Sequence, residues 1–261
     1  LTAVAIIPAR YESTRLPGKP LIDLAGRPMI VRVFERVRAT PGLADVIVAT
    51  DDARVRDEVE RYGGRCVMTR ADHRSGTDRL AEVAASLDCD VVINVQGDEP
   101  LIEPAMIAEA LAPFATDPAL EMATLCRRLD DPETFEEPNV VKAVVGHDGY
   151  ALYFSRSPVP YHRATGNRGV PARAFKHIGL YVYRRETLLR LAALPPTPLE
   201  ETEMLEQLRA LEHGIRIRVV ETQFDSIGVD TEADVRRVRA LLEGASAPPS
   251  ADALAGHHAQ P

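Results

Sequence analysis

No apolar run in the chain approaches the roughly 18 residues that a membrane-spanning helix requires. The opening LTAVAIIPAR lacks the basic stretch and small-residue cleavage site of a secretory signal, and its apolar run is too short for one. Positive charge is not in surplus. Lys and Arg number 31 against 39 Asp and Glu, for a net charge of −8, so a nucleic-acid-binding surface is not the default. An acidic protein still binds an anion wherever a few cations converge. Cysteine is sparse: Cys66, Cys89 and Cys126 are scattered, which gives neither a disulfide framework nor a CxxC metal site and suits a reducing cytoplasm. Neither a Walker A loop nor a GxGxxG turn occurs, and no internal repeat is present.

What is present is an ordinary apolar content, 45% of 261 residues, enough for one large α/β domain or two small ones. The first half alternates strand-like and helix-like segments. Val4–Pro8, Val46–Thr50, Cys66–Thr69 and Val91–Val95 read as strands, the last being the most apolar. Pro28–Ala39, with Pro28 at the first helical position, and Asp52–Tyr62 read as helices. A third helix runs to Leu87 behind a capping box of Ser75 and Asp78. This rhythm predicts a parallel sheet covered by helices. In the second half, Val140–Val145, Tyr150–Phe154 and Ile178–Tyr183 are strands too close together for helical crossovers, so antiparallel pairing is expected. Pro158–Pro171 reads as a mobile loop, Pro198–His213 as one helix, Ile215–Val220 as a strand and Thr231–Glu243 as a final helix. The expectation is a single domain over residues 1–243, with an antiparallel insertion at about 122–213, and a disordered tail over 244–261.

Several segments carry chemistry. The loop PARYESTRLPGKPL follows the first strand, where open α/β sheets bind ligands. Its Arg10, Arg15 and Lys19, with Ser13, Thr14 and Gly18 among them, suit a polyphosphate. VVINVQGDEP ends a central strand with Gln96, Asp98 and Glu99. A carboxylate there suits a divalent cation, and the same Asp-Glu-Pro equally suits a turn or helix cap. Asp230, in IGVDTEAD, follows a short apolar strand and is left over once Thr231 and Asp234 cap the next helix. It reads as a second ligand-facing carboxylate or as an ordinary helix N-terminal acid. Ser75, Gly76 and Thr77 could read a nucleobase or ribose, or simply cap. His177 and Tyr181 share one face of their strand, and Lys142 and Arg156 add cations. Glu206 and Gln207 sit mid-helix, off the apolar face of Met204, Leu205, Leu208 and Leu211, and on their own read as solvated.

Together, IIPARYESTRLPGKPL, MTRADHRSGTDRLAEV, VVINVQGDEPLI, PNVVKAVV, KHIGLYVYR, PLEETEMLEQLRAL and GVDTEADV resemble the 3-deoxy-manno-octulosonate (Kdo) cytidylyltransferase family, from about Ala3 to Leu242. The resemblance does not reach the tail. CMP-sialic acid synthetases share the plan, but their opening loop reads differently. Family members begin just ahead of their first strand, so little is expected before Leu1. The resemblance implies a nucleotide-diphospho-sugar-transferase-like fold and a mixed, mostly parallel sheet. It implies a homodimer in the Gram-negative cytoplasm that joins CTP and Kdo into CMP-Kdo and pyrophosphate for lipopolysaccharide synthesis, with no nucleic-acid or membrane partner. It also implies Mg²⁺ on Asp98 and Asp230, with Lys19 sharing their catalytic role. CTP then falls to Arg10, Ser13, Arg15, Lys19, Ser75, Gly76 and Gln96, and the sugar acid to Arg156, His177, Tyr181, Glu206 and Gln207. A different ulosonic acid, such as a sialic acid or an amino-Kdo, is the alternative substrate. A non-catalytic nucleotide-binding regulator is the other alternative, and it should have lost one of the two aspartates.

Overall fold

The computed structural model describes residues 1–13, 15–164 and 169–246, the last two without their side chains. Thr14, the centre of the Pro158–Pro171 loop and residues 247–261 of the expected tail lie outside the described residues. The strands are β1 (Ala3–Pro8), β2 (Asp45–Thr50), β3 (Arg65–Met68), β4 (Val91–Asn94), β5 (Met122–Arg128), β6 (Lys142–Val145), β7 (Ala151–Ser155), β8 (Phe175–Arg184) and β9 (Ile217–Glu221). The helices are α1 (Met29–Arg38), α2 (Ala53–Arg61), α3 (Gly76–Ala85), α4 (Pro104–Leu111), α5 (Pro113–Thr116), α6 (Pro132–Glu136), α7 (Arg185–Ala193), α8 (Pro198–Glu203), α9 (Gln207–Glu212) and α10 (Glu232–Ser246). No helix among the described residues is long and apolar enough to cross a membrane.

All nine strands form one sheet, ordered β3-β2-β1-β4-β8-β5-β9, with β6 and β7 joined to it through β8. β1 to β4 are mutually parallel, as their near-continuous apolar runs require when both faces are covered. Alternate residues of β1 serve opposite faces. Ala5 and Ile7 pack with α1, α2 and α4, whereas Val4 and Ile6 pack with α3, α7 and α9. The chain moves outward from β1 through β2 to β3, then crosses back to place β4 on the other side of β1. The carboxyl ends of β1 and β4 therefore flank the point where strand order reverses, the usual ligand position in such sheets.

The second half runs antiparallel where the sequence predicts it, since β8 pairs antiparallel with β4, β5 and β6. The insertion is thus part of the same sheet. Strand limits move by a residue or two, except that β8 begins earlier than expected, at Phe175. Four readings need correction. Pro28 is the N-cap of α1 and not its first helical residue. The expected helix Pro198–His213 is broken at Met204, whose left-handed φ of 53° ends α8 behind the Thr197–Glu200 capping box. The break exposes Met204 and turns Leu205 and Leu208 into the core, so a continuous amphipathic reading fails there. No strand precedes Asp230, because residues 222–231 are irregular and Val229 instead donates its N–H to the Asp98 carbonyl at 2.9 Å. Finally, α10 continues to Ser246, into the stretch expected as tail.

A small third cluster unites distant segments: Leu16 of the opening loop, Leu24, Met29, and Val229, Val235 and Val238 around the start of α10. Close backbone approach completes the arrangement. A Cβ at Gly97 would lie 2.7 Å from the Pro8 carbonyl oxygen, which is backbone and has no room to yield. Gly97→Ala is therefore expected to cost about 1–3 kcal/mol through overpacking and to lower the melting temperature by about 3–10 °C, as read by circular dichroism.

Candidate active site

A cavity of about 320 Å³ opens at the carboxyl ends of β1 and β4. Its walls are the opening loop, the β3–α3 loop, the turn after β4, and Asp230. The opening loop is shaped by Gly18, whose φ of +68° is readily open to glycine, and by a 3-10 turn at Lys19–Leu21. Buried Leu16 and Pro20 anchor it. Lys19 is thereby fixed with its side chain only 14% exposed, and its ammonium donates to Asp98 Oδ2 at 2.6 Å and to Asp230 Oδ1 at 2.9 Å. Arg15 reaches the same Asp230 oxygen at 3.1 Å. Burial alone opposes the charge on Lys19, but the field of Asp98 and hydrogen bonds to both aspartates outweigh it, and its pKa rises above the ordinary lysine value.

Asp230 is held from behind. Asp234 accepts from the N–H groups of Asp230 (3.1 Å) and Thr231 (2.8 Å) and donates its own N–H to Thr231 Oγ1, the capping box expected from the sequence. The Asp230 carboxylate is left directed at Lys19. Across the cavity, Ser75 is the N-cap of α3 and accepts from Asp78 N–H at 3.1 Å, so its capping role is real, while Gly76 begins the helix at the cavity wall. Arg10, Ser13, Gln96 and Asp98 complete the set, so every residue assigned to nucleotide or metal from the sequence lines one cavity.

Sequence reasoning missed His73, Arg74 and Arg79, which also line it. Arg79 is the notable omission. It is buried, donating to Asp51 Oδ2 at 3.1 Å and to Thr69. Its position four residues after the Ser75 cap, on the same helix face, was the available signal.

The residues assigned to the sugar acid do not line this cavity. Three of them form an adjoining polar layer beneath β4, β5 and β8. The His177 and Tyr181 rings lie 5.5 Å apart, and Tyr181 stacks on Tyr183 at 5.8 Å. Tyr183 is hydrogen-bonded with Asn94 and Thr77. Thr77 Oγ1 in turn donates to Glu206 Oε2 at 2.7 Å, while buried Glu206 Oε1 has no hydrogen-bond partner among the described residues. Gln96 links the layer to the cavity, with Nε2 3.5 Å from both Asn94 Oδ1 and the Gly179 carbonyl at a bulge in β8. Sequence reasoning missed Tyr183, although it lies two residues beyond Tyr181 on the same strand face. The α8–α9 break makes Glu206 the N-cap of α9 and buries Gln207 in its first turn, so neither is mid-helix or on a solvated face. Arg156 stands apart and donates to the carbonyls of Glu203 (2.8 Å), Pro138 (3.2 Å) and Met204 (3.4 Å). Lys142 is fully buried, donates to the Glu137 carbonyl at 2.9 Å and faces neither group.

Burial pushes the His177 pKa down to about 3, so the ring is neutral at physiological pH. The single Thr124 hydroxyl proton goes to a β8 carbonyl, Leu180 at 2.9 Å or Ile178 at 3.1 Å. His177 Nε2–H therefore donates to Thr124 Oγ1, at 3.0 Å, and Nδ1 is left as an acceptor. Because the folded pKa is depressed, the unfolded chain binds the extra proton between about pH 6.5 and 3, and stability falls as pH drops through that window. Each unit below 6.5 is worth at most about 1.4 kcal/mol. Thermal unfolding at pH 7.5 and 5.5 should show a smaller loss in His177→Gln than in the wild type.

Two carboxylates, each about half exposed or less, converge on one point. Among the described residues no cluster of three or more His, Cys, Asp or Glu side chains that could hold a metal exists. A pair of carboxylates is a donor set that a hard cation can use when water and phosphate complete its shell.

A family model described as cytidylyltransferase matches residues 4–217. A 3-deoxy-manno-octulosonate cytidylyltransferase of Trichlorobacter lovleyi is 55% identical over 251 residues, covering 92% of this chain and 98% of that protein. Its counterpart in Geobacter sulfurreducens is 54% identical, covering 93% of this chain and 100% of that protein. Among solved structures, a CMP:2-keto-3-deoxy-manno-octonic acid synthetase complexed with CTP superimposes with a TM-score of 0.89 at 48% identity, covering 94% of this chain and 100% of that one. A 4-diphosphocytidyl-2C-methyl-D-erythritol synthase of Anaerococcus prevotii shares the fold, with a TM-score of 0.62 at 14% identity, 93% of this chain and 98% of that one being covered. With this fold, this cavity and these relatives, the chain belongs to the 3-deoxy-manno-octulosonate cytidylyltransferase family.

Proposed function

We propose that this protein joins CTP and Kdo, releasing pyrophosphate and forming CMP-Kdo for lipopolysaccharide synthesis, with Mg²⁺ held by Asp98 and Asp230. The observation that carries the reading is the convergence of Lys19, Asp98 and Asp230 at the strand-order reversal, beside a polar layer of separate character. The anomeric hydroxyl of the sugar attacks the α-phosphorus and gives up its proton to water, while the bond from that phosphorus to the bridging oxygen breaks and pyrophosphate leaves. Arg10, Arg15 and Lys19 orient the triphosphate and stabilise the charge that moves onto pyrophosphate. The start of α3, with Ser75 and Gly76, presents free backbone N–H groups toward the nucleotide, and Gln96 stands between nucleotide and acceptor. Asp98 and Asp230 would hold the metal, which would supply neutralisation of phosphate charge and acidify the attacking hydroxyl.

On the acceptor side, Glu206 Oε1, which has the Arg209 guanidinium 3.7 Å away but no hydrogen bond, takes one from a sugar hydroxyl, and His177 Nδ1 and the Tyr181 hydroxyl contribute further polar contacts. Gln207 and Arg156 belong to the same assignment, with Arg156 reaching the ligand only after giving up backbone partners. The cytoplasm is the proposed location. A homodimer is proposed through the antiparallel region, where Leu152 on β7 and Met204 are exposed apolar side chains. The two aspartates also argue against a non-catalytic regulator.

A pyrophosphate-release assay with CTP and a panel of Kdo, amino-Kdo and sialic acid tests the reading. Kdo is expected to give the highest kcat/KM, and a preference for sialic acid would overturn it. In the same assay, Asp98→Ala and Asp230→Ala should each lose about 10³-fold in turnover, roughly 4 kcal/mol. The double variant should be little worse than either, since both act through one ion.

The Lys19 bridge makes a separate prediction. Without nucleotide, its ammonium competes with a divalent ion for both carboxylates. Lys19→Met should therefore tighten Mn²⁺ binding to the CTP-free protein about tenfold, about 1.4 kcal/mol, while weakening CTP binding. Paramagnetic resonance of free Mn²⁺ measures the first effect, and titration calorimetry the second.

A further inference from the structure

The two aspartates come from segments half the chain apart, and the second has no regular secondary structure to place it. Residues 222–231 cross the end of the sheet as irregular chain. Two hydrogen bonds tie this segment to the turn after β4. One is the backbone bond from Val229 N–H to the Asp98 carbonyl, at 2.9 Å. The other is between side chains, with Ser226 Oγ donating to Glu99 Oε2 at 3.0 Å. Ser226 is buried, and its own N–H is fixed by Asp225 Oδ1 at 2.9 Å. The backbone of Glu99 is fixed within its turn, its N–H donating to the Gln96 carbonyl at 3.3 Å and its carbonyl accepting from Ile102 N–H at 3.1 Å.

Glu99 does not line the cavity, so it is not placed to touch the nucleotide. Among the described residues no cation lies within ion-pair distance of it, although the Lys176 charge is felt there. The nearby Lys176 ammonium is bonded instead to Asp225 Oδ1, at 2.7 Å. A carboxylate beside Asp98, with a serine hydroxyl as its hydrogen-bond donor, is spent on holding the Asp230 segment against the Asp98 turn.

We propose that Glu99 and Ser226 form a latch that sets the spacing of Asp98 and Asp230, making Glu99 a positioning residue that acts through Ser226. This rests on the reading of the two aspartates as metal ligands. The latch needs an acceptor at position 99 and a donor at 226, and it does not need the negative charge.

The test measures Mn²⁺ binding by paramagnetic resonance in the presence of a non-hydrolysable CTP analogue, alongside turnover and thermal unfolding. Glu99→Ala and Ser226→Ala should each weaken Mn²⁺ binding about five- to tenfold and lower kcat by a similar factor. The KM for CTP at saturating ion should stay within about twofold of wild type. Glu99→Gln, whose amide oxygen still accepts from Ser226, should bind Mn²⁺ within about twofold of wild type. The double variant Glu99→Ala/Ser226→Ala should match the single ones. A normal Ser226→Ala beside an impaired Glu99→Ala overturns the latch, as does a Glu99→Gln as weak as Glu99→Ala. If Glu99→Ala fails to fold, the small change at Ser226 decides alone. The Mn²⁺ arm reports on the latch even if the wild type turns over no sugar acid, a result that would instead sink the proposed reaction.

Discussion

The close approach of β1 and β4 is the constraint on which the site depends. Parallel strands side by side deliver their carboxyl ends to the same place, and a residue without a side chain at Gly97 lets the turn after β4 lie against the Pro8 carbonyl. That contact fixes where Asp98 points relative to the opening loop. Once the loop is anchored by Leu16 and Pro20, Lys19 has one direction available to it. The two carboxylates, the Lys19 ammonium and the Arg15 guanidinium on Asp230 are then an electrostatically balanced group in the absence of any ligand. In the proposed reaction, a triphosphate and a metal would offer these cations and anions better partners, so that binding would exchange ion pairs without exposing bare charge.

That the residues assigned to the nucleotide share one cavity was legible because their chemistry is contiguous in sequence. Arg10, Ser13, Arg15 and Lys19 lie in one loop after one strand, and Asp98 ends another. Strand-end placement alone then brings them together. Asp230 was legible by elimination, since Thr231 and Asp234 account for the cap and leave it over. Arg79 was hidden for the opposite reason. It lies inside a convincing helix, and only tertiary packing shows that its guanidinium turns to the cavity and to Asp51.

The arrangement of the residues assigned to the sugar acid was less legible because its geometry depends on departures from periodicity. Heptad-like spacing over Pro198–His213 predicts a single amphipathic helix, which puts Glu206 and Gln207 in solvent. The left-handed turn at Met204 places Glu206 under Thr77 instead. The bulge in β8 does similar work, freeing the Gly179 carbonyl near Gln96 while His177 and Tyr181 keep the common face that their spacing predicts. Pattern reasoning located these residues on their elements and could not foresee the breaks that orient them.

The third hydrophobic cluster has a consequence for how the protein is made. Leu16, Leu24 and Met29 leave the ribosome well before Val229, Val235 and Val238, which lie 200 residues or more further along the chain. Domains on the ribosome begin to fold from the N-terminal side. The parallel β1–β4 region can pair while Asp230 is still inside the exit tunnel. During that interval the nascent chain carries its cationic loop and one aspartate, with the apolar face beneath Leu16 uncovered. Completion of α10 closes that face beside the segment that carries Asp230, so a chain cut before it has neither the sealed cluster nor the second carboxylate.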